Sequence, residues 1–236
     1  MSAATTVAKR EIRAYFNSPV AYIVVTVFMI LTGYLFFSQM FLEKQAELRA
    51  YFNITPLIFT FIIPAITMRL IAEEKGSGTL EMLITMPVRD WEVVLGKFLA
   101  GMAMLAAIVG MTLFYAFSLA ALGPIDRGPV ITGYIGLLLM GGAYVAIGVM
   151  ASSLTRNQIV AFILAFAISF ALFIFGQVTQ LAPEWLVPVL SFLSMGNHFE
   201  SLGRGVIDSR DVIYYVSVMV VSLIIATSSL ESRKWK

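Results

Sequence analysis

Cysteine is absent from the 236 residues, which excludes disulfides and thiolate metal sites and leaves the redox compartment unread. A single histidine, His198, cannot build a metal centre by itself, so no metal site is expected. Charge is scarce: 13% of residues are charged against 59% hydrophobic, and the mean hydropathy of +0.89 lies far from that of a soluble domain. A net charge of +2 argues against nucleic acid as a partner. No G-x-x-x-x-G-K-[ST] phosphate loop occurs, because Gly96-Lys97 is followed by Phe98 and lacks the earlier glycine. Gly76-Ser77-Gly78 fails the G-x-S-x-G pattern, and its serine is expected at the opposite membrane face from His198, which argues against a serine hydrolase within the membrane. No catalytic residue is expected, and any driving reaction has to come from another chain.

What is abundant is apolar sequence of helical length. A span needs about 20 apolar residues to cross a hydrocarbon core of about 30 Å. Residues 20–42, 54–72, 98–122, 130–151, 159–181 and 212–230 meet that need, giving an all-α, polytopic chain read as a single domain, 1–236. Barrel strands would instead be about ten residues of alternating polarity. The first run is long enough to span and has no small-residue cleavage pattern after it, so it is expected to remain as a helix and not to be removed as a signal peptide.

Basic residues set the orientation. Lys9, Arg10, Arg13, Arg69, Lys75, Arg89, Lys97, Arg156, Arg233, Lys234 and Lys236 fall on one side, and only Lys44, Arg49, Arg127, Arg204 and Arg210 on the other. Acidic residues divide evenly. Both termini are therefore expected in the cytoplasm. Residues 1–19 alternate Val7, Ile12, Tyr15 and Phe16 with Lys9, Arg10, Glu11 and Arg13, which predicts an interfacial amphipathic helix that Asn17, Ser18 and Pro19 break. A soluble basic tail that merely fixes topology is the alternative.

Residues 72–97 form the long polar interruption on that side, holding eight of the 30 charged residues. Gly76, Ser77 and Gly78 predict a turn, Thr79 a cap for a short helix with Glu81 in its first turn, and Pro87 its stop. Leu80, Leu83 and Ile84 share one face of that helix, and Asp90 is placed to cap the next helix from Trp91. Such an element suits the grip of another protein, or lies on lipid headgroups as a connector.

The series EEKGSGTLE, LITMPV and VVLGK resembles the loop between the second and third spans of ABC-2 type permeases, the membrane half of a class of ABC exporters. Glu73, Glu74, Gly76, Thr79, Leu80, Glu81, Leu83, Pro87, Gly96 and Lys97 match the recurring positions. The resemblance implies that 73–97 is a cytoplasmic coupling element docking on a separate ATPase, with Ile84 and Arg89 joining that surface. It further implies a bacterial inner membrane, two ATPase copies carrying ATP and Mg, no cofactor on this chain, and a second permease completing a homo- or heterodimer. The amphipathic start corresponds to an elbow helix. Residues 182–211, where Pro183 and Pro188 bracket Trp185, correspond to short external helices that partly re-enter the bilayer. GNHFESLGRGVIDSRD looks like the gliding-motility branch, in which a second membrane subunit can carry a large external domain. His198 there reads as an ordinary interfacial residue, with a proton site as the sharper alternative.

Thr155, Arg156 and Asn157, in SSLTRNQ, are a second cytoplasmic contact candidate, or simply a tight polar turn. Small residues recur four apart at Ala103 and Ala107, Ala106 and Gly110, Gly142 and Ala146, and Ala161, Ala165 and Ser169, so spans three and four are expected to pack together. Phe162, Phe166 and Phe170 stripe the fifth span beside Ser169, as a substrate path, a subunit interface or lipid-facing packing. Apart from Arg69 near one end, the spans hold no Asp, Glu, Lys, Arg or His, which disfavours an ion-coupled carrier. Three functional readings stay open: an ATP-driven exporter of an apolar or lipid-linked cargo, a membrane anchor whose ATPase works on a periplasmic protein without transport, and, as the second alternative, an ion-coupled secondary transporter.

Overall fold

A computed structural model describes residues 3–43, 48–79, 89–123, 125–179 and 181–232. The described residues form helices and no strand: α1 (Ala3–Asn17), α2 (Pro19–Glu43), α3 (Arg49–Thr67), α4 (Arg69–Ser77), α5 (Asp90–Leu122), α6 (Arg127–Leu154), α7 (Gln158–Val178), α8 (Val187–Leu193), α9 (Met195–Gly203) and α10 (Ser209–Glu231). Six continuous helical stretches are long and apolar enough to cross a membrane, with α3 and α4 together making the second. The protein is a multi-pass, all-helical membrane protein.

Each boundary has a local cause. Pro19 opens α2, where its missing N–H removes no helical hydrogen bond. Asp126, Asn157 and Asp208 cap α6, α7 and α10 by accepting from the N–H groups of Gly128 (3.1 Å), Ile159 (2.8 Å) and Arg210 (2.9 Å). These caps satisfy donors that the first turn of a helix otherwise leaves open.

The six spans alternate direction, so one end of the bundle gathers α1, α4, the start of α5 and the α6–α7 turn. The other end gathers the α5–α6 turn, α8 and α9. The central helix is α6, with 83% of its most apolar window buried, against 28% for α2 and 17% for α7 and for α10. It touches α3, α5, α7, α9 and α10. Close packing requires glycine at one crossing: a Cβ on Gly148 would sit 1.9 Å from Thr67 Oγ1 of α3.

Spans α5 and α6 do pack together, Gly101 against Val145 and Gly141 against Leu105. Tyr134 also donates to the Thr112 carbonyl across them at 2.8 Å. The spaced pair Ala106 and Gly110 takes no part, since both face outward. On α7 the small residues Ala161, Ala165 and Ser169 are buried. The phenylalanine stripe beside them is half-buried, with Phe61 of α3 set edge-on at 5.2 Å from Phe162 and 5.9 Å from Phe166. Phe166 and Phe170 stack at 5.5 Å. The stripe therefore packs partly within the subunit.

Candidate coupling site

The charged base is organised by Lys97, which is completely buried on the first turns of α5. Its Nζ lies 2.8 Å from Glu74 Oε2 of α4, a contact of charge more than of aligned hydrogen bonding, and 3.3 Å from Glu11 Oε1 of α1. It also donates to the Leu70 carbonyl. Arg10 closes the ring, with its guanidinium 2.9 Å from Glu11 and 2.7 Å from Glu74. Burial acts to lower the Arg10 pKa, and the two carboxylates outweigh it, raising it above the usual arginine value. Four charges from three helices thus neutralise one another, which is what permits a buried ammonium.

Helix α1 rests on α5 and not on lipid alone. Val7 packs over Gly96, where an added Cβ would come within 2.7 Å of the Ala4 carbonyl. Ala4, Val7, Ala8 and Tyr15 are buried, while Phe16 is exposed. Tyr15 donates to the Ile66 carbonyl at 2.9 Å, and burial holds its hydroxyl well above the usual tyrosine range, keeping it a donor.

The interruption between α3 and α4 at Met68 has a definite chemical origin. Ser152 of α6 inserts its Oγ into the break at Met68, accepting from Ile71 N and Ala72 N at 2.9 Å each and donating to the Met68 carbonyl at 2.9 Å. A side chain inserted into the helical ladder, one turn after Pro64, is a recognised cause of a kink. Below it, Lys75 donates to the Ser153 carbonyl, which also accepts from Ser229 Oγ at 2.9 Å. Helix α4 is thereby fixed to α6.

The polar segment is shorter than the sequence suggests. Gly76 and Ser77 do not form a turn: the helix runs through both and stops at Gly78, whose φ of 75° is the left-handed conformation glycine favours. Asp90 is the first residue of α5 and not its cap, which falls at Arg89, whose N–H donates to Glu92 Oε2 at 3.0 Å. Of the proposed coupling residues, Glu73, Gly76, Thr79 and Arg89 face outward. Glu73 also pairs with Arg69 at 3.1 Å. Glu74 turns inward, into the ring. Leu80, Glu81, Leu83, Ile84 and Pro87 lie outside the described residues.

The second candidate lies beside the first. A Cβ on Gly76 would sit 2.9 Å from the Arg156 carbonyl, so α4 abuts the α6–α7 turn. Thr155 Oγ1 accepts from Asn157 N at 3.1 Å, and Asn157 caps α7, so those side chains build the turn while Arg156 projects outward. A cavity of about 350 Å³ between α1 and α4 is lined by Arg10, Glu11, Arg69, Glu73, Glu74 and Thr79. Arg10, Glu11 and Ser152 were not apparent as site residues from sequence, because each acquires its role from partners far along the chain.

The arrangement is a charged joint at one end of a helical bundle, holding the two ends of the 78–89 segment beside a polar turn. Residues 5–235 match the ABC-2 family transporter protein family. The chain belongs to the ABC-2 transporter family. It is 26% identical over 155 residues to a probable multidrug ABC transporter permease, YbhR, of Escherichia coli K12, and equally to its counterpart in strain O157:H7. The match takes in 64% of this chain and 41% of the relative, so it spans less than half the length of that permease.

Proposed function

We propose that this ABC-2 chain is the membrane subunit of an ATP-driven exporter, moved by a separate ATPase that docks on the base of the bundle around residues 78–89 and 155–157. The observation that carries the reading is the Lys97, Glu74, Glu11 and Arg10 ring. It fixes α1 to α4 and α5, the two helices that flank the polar segment in sequence, so a force applied to either flanking helix reaches three helices together. ATP and Mg belong to the ATPase, and this chain contributes no catalytic group. A second permease, identical or different, completes the assembly in a bacterial inner membrane with both termini cytoplasmic.

Spans whose Asp, Glu, Lys and Arg residues lie only near their ends suit an apolar or lipid-linked cargo. The relative's designation as a multidrug permease agrees in chemistry. The GNHFESLGRGVIDSRD stretch supports placement in the gliding-motility branch. Spans with apolar centres equally suit an anchor that transports nothing, with its ATPase acting on a periplasmic protein.

Purification from native membranes in mild detergent, with mass spectrometry and an ATPase assay, tests the assignment. Recovery of an ATP-binding subunit is expected. Recovery of this chain alone from several detergents would overturn it. A complex that hydrolyses ATP only with a periplasmic partner present, and moves neither lipid nor drug in liposomes, selects the anchor.

A further inference from the structure

Helix α1 has an outward face that the charged joint does not use. Lys9, Arg13 and Phe16 follow one another at i, i+4 and i+7, which places them on one side of the helix, opposite the side where Ala4, Val7 and Tyr15 are buried. All three are exposed. Neither cation forms an ion pair among the described residues. Arg10 and Glu11, which lie between them in sequence, are engaged in the ring, so the outward face keeps two unopposed positive charges.

The direction of α1 carries that face to an apolar groove. Val7 lies against Gly96 near the start of α5, and Phe16 shares a groove with Met104 eight residues further along, so α1 runs beside α5 in the same direction. The groove has a volume of about 480 Å³ and lies between α2 and α5, with Phe16 at one end and Val25, Met29, Met104, Ala107 and Met111 among its walls. No charged residue lines it. From Met104 to Met111 it follows α5 for about 10 Å. Its rim is exposed at Tyr22, Ile30 and Met111, on the side of the bundle where α2 is little buried. Arg13 and Lys9 stand one and two turns beyond Phe16, toward the charged end.

We propose that this is a binding site for one anionic phospholipid, with an acyl chain in the α2–α5 groove and the phosphate between Arg13 and Lys9. A phospholipid presents a hydrocarbon chain and then a negative charge, and the groove and the two cations follow in that order. A headgroup of no net charge leaves the pair of cations partly unopposed, which favours an anionic lipid. A second copy of the chain fits less well. Its α2 and α7 open on residues 19–22 and 156–159, which bring no carboxylate to this level. The bound lipid bridges α1, α2 and α5 from outside, on the face of α1 away from Lys97, so the proposal is independent of cargo and of the ATPase.

Native mass spectrometry of the delipidated full chain, titrated with phosphatidylglycerol or with phosphatidylcholine of the same acyl chains, tests the site. One phosphatidylglycerol should bind about thirtyfold more tightly than phosphatidylcholine, the effect of two surface cations. Lys9→Gln combined with Arg13→Gln changes only exposed, unpaired side chains and should erase that preference. Ala107→Phe, which fills the groove, should weaken both lipids. Phosphatidylglycerol with a diazirine in its acyl chain should label residues 104–111 of the wild type, which decides the groove even if Ala107→Phe does not fold. Equal affinity for the two lipids, a preference that survives the double substitution, or labelling confined to other spans would overturn the site. So would a lipid-free dimer that Ala107→Phe converts to monomer, since the groove would then belong to a second copy.

Discussion

Lys97 is the residue whose removal should cost most. With no exposure, its ammonium is tolerated only because Glu74 and Glu11 sit within 2.8 and 3.3 Å. Lys97→Met leaves Glu11 and Glu74 with Arg10 as their remaining counter-charge beside an apolar side chain, and removing one partner from a buried ionic cluster costs up to about 3–5 kcal/mol. Adding Glu74→Gln should recover part of that loss, because the repulsion goes with the charge. Thermal unfolding in detergent reads both, and equal melting temperatures for wild type and Lys97→Met would show that the ring contributes nothing. Ser152→Ala is the neutral counterpart. It strands the N–H groups of Ile71 and Ala72, at about 1–3 kcal/mol for a buried group left unpaired. Its melting temperature should fall by less than that of Lys97→Met.

Among the elements, α1 depends on the absence of a side chain opposite it. Gly96→Val would place atoms against the Ala4 carbonyl and Val7, so α1 must lift from α5 while the spans stay inserted. Limited proteolysis should then cut within Ala3–Asn17 faster than in wild type; unchanged cleavage would mean that α1 is held by lipid and not by α5. The existence of α1 and its end before Pro19 were legible, because each rests on neighbours a few residues away. The joint was not. Lys97 meets Glu11 across 86 positions and Ser152 meets Ile71 across 81, and no local periodicity reports such pairings. The same blindness explains Gly76 and Ser77. Their composition reads as a turn, yet Glu74 on Lys97 and Lys75 on Ser153 hold the preceding turn in place and carry the helix on to Gly78. His198 was visible as a lone histidine, but the carboxylate 2.7 Å from its ring lies 13 residues further on.

For the whole molecule, docking and transmission make separable demands. If the polar segment is where an ATPase grips, Glu81→Lys or Leu83→Asp should leave the protein inserted and folded yet abolish recovery of the ATPase on co-purification. If the buried ring carries the motion, Glu74→Gln should have the opposite signature. It sits inward, with its side chain 16% exposed, so the ATPase should still bind. The neutral amide no longer holds the Lys97 charge, so α4 can slide against α5 when pushed. Hydrolysis by the bound ATPase should then persist while cargo movement, or the response of hydrolysis to a membrane-side partner, falls by an order of magnitude or more, the scale of about 1.4 kcal/mol in coupling. Loss of binding in Glu74→Gln would make the ring part of the docking surface itself. Normal coupling in that variant would leave the α4–α6 contacts at Ser152 and Ser153 as the path by which movement at the base reaches the central helix.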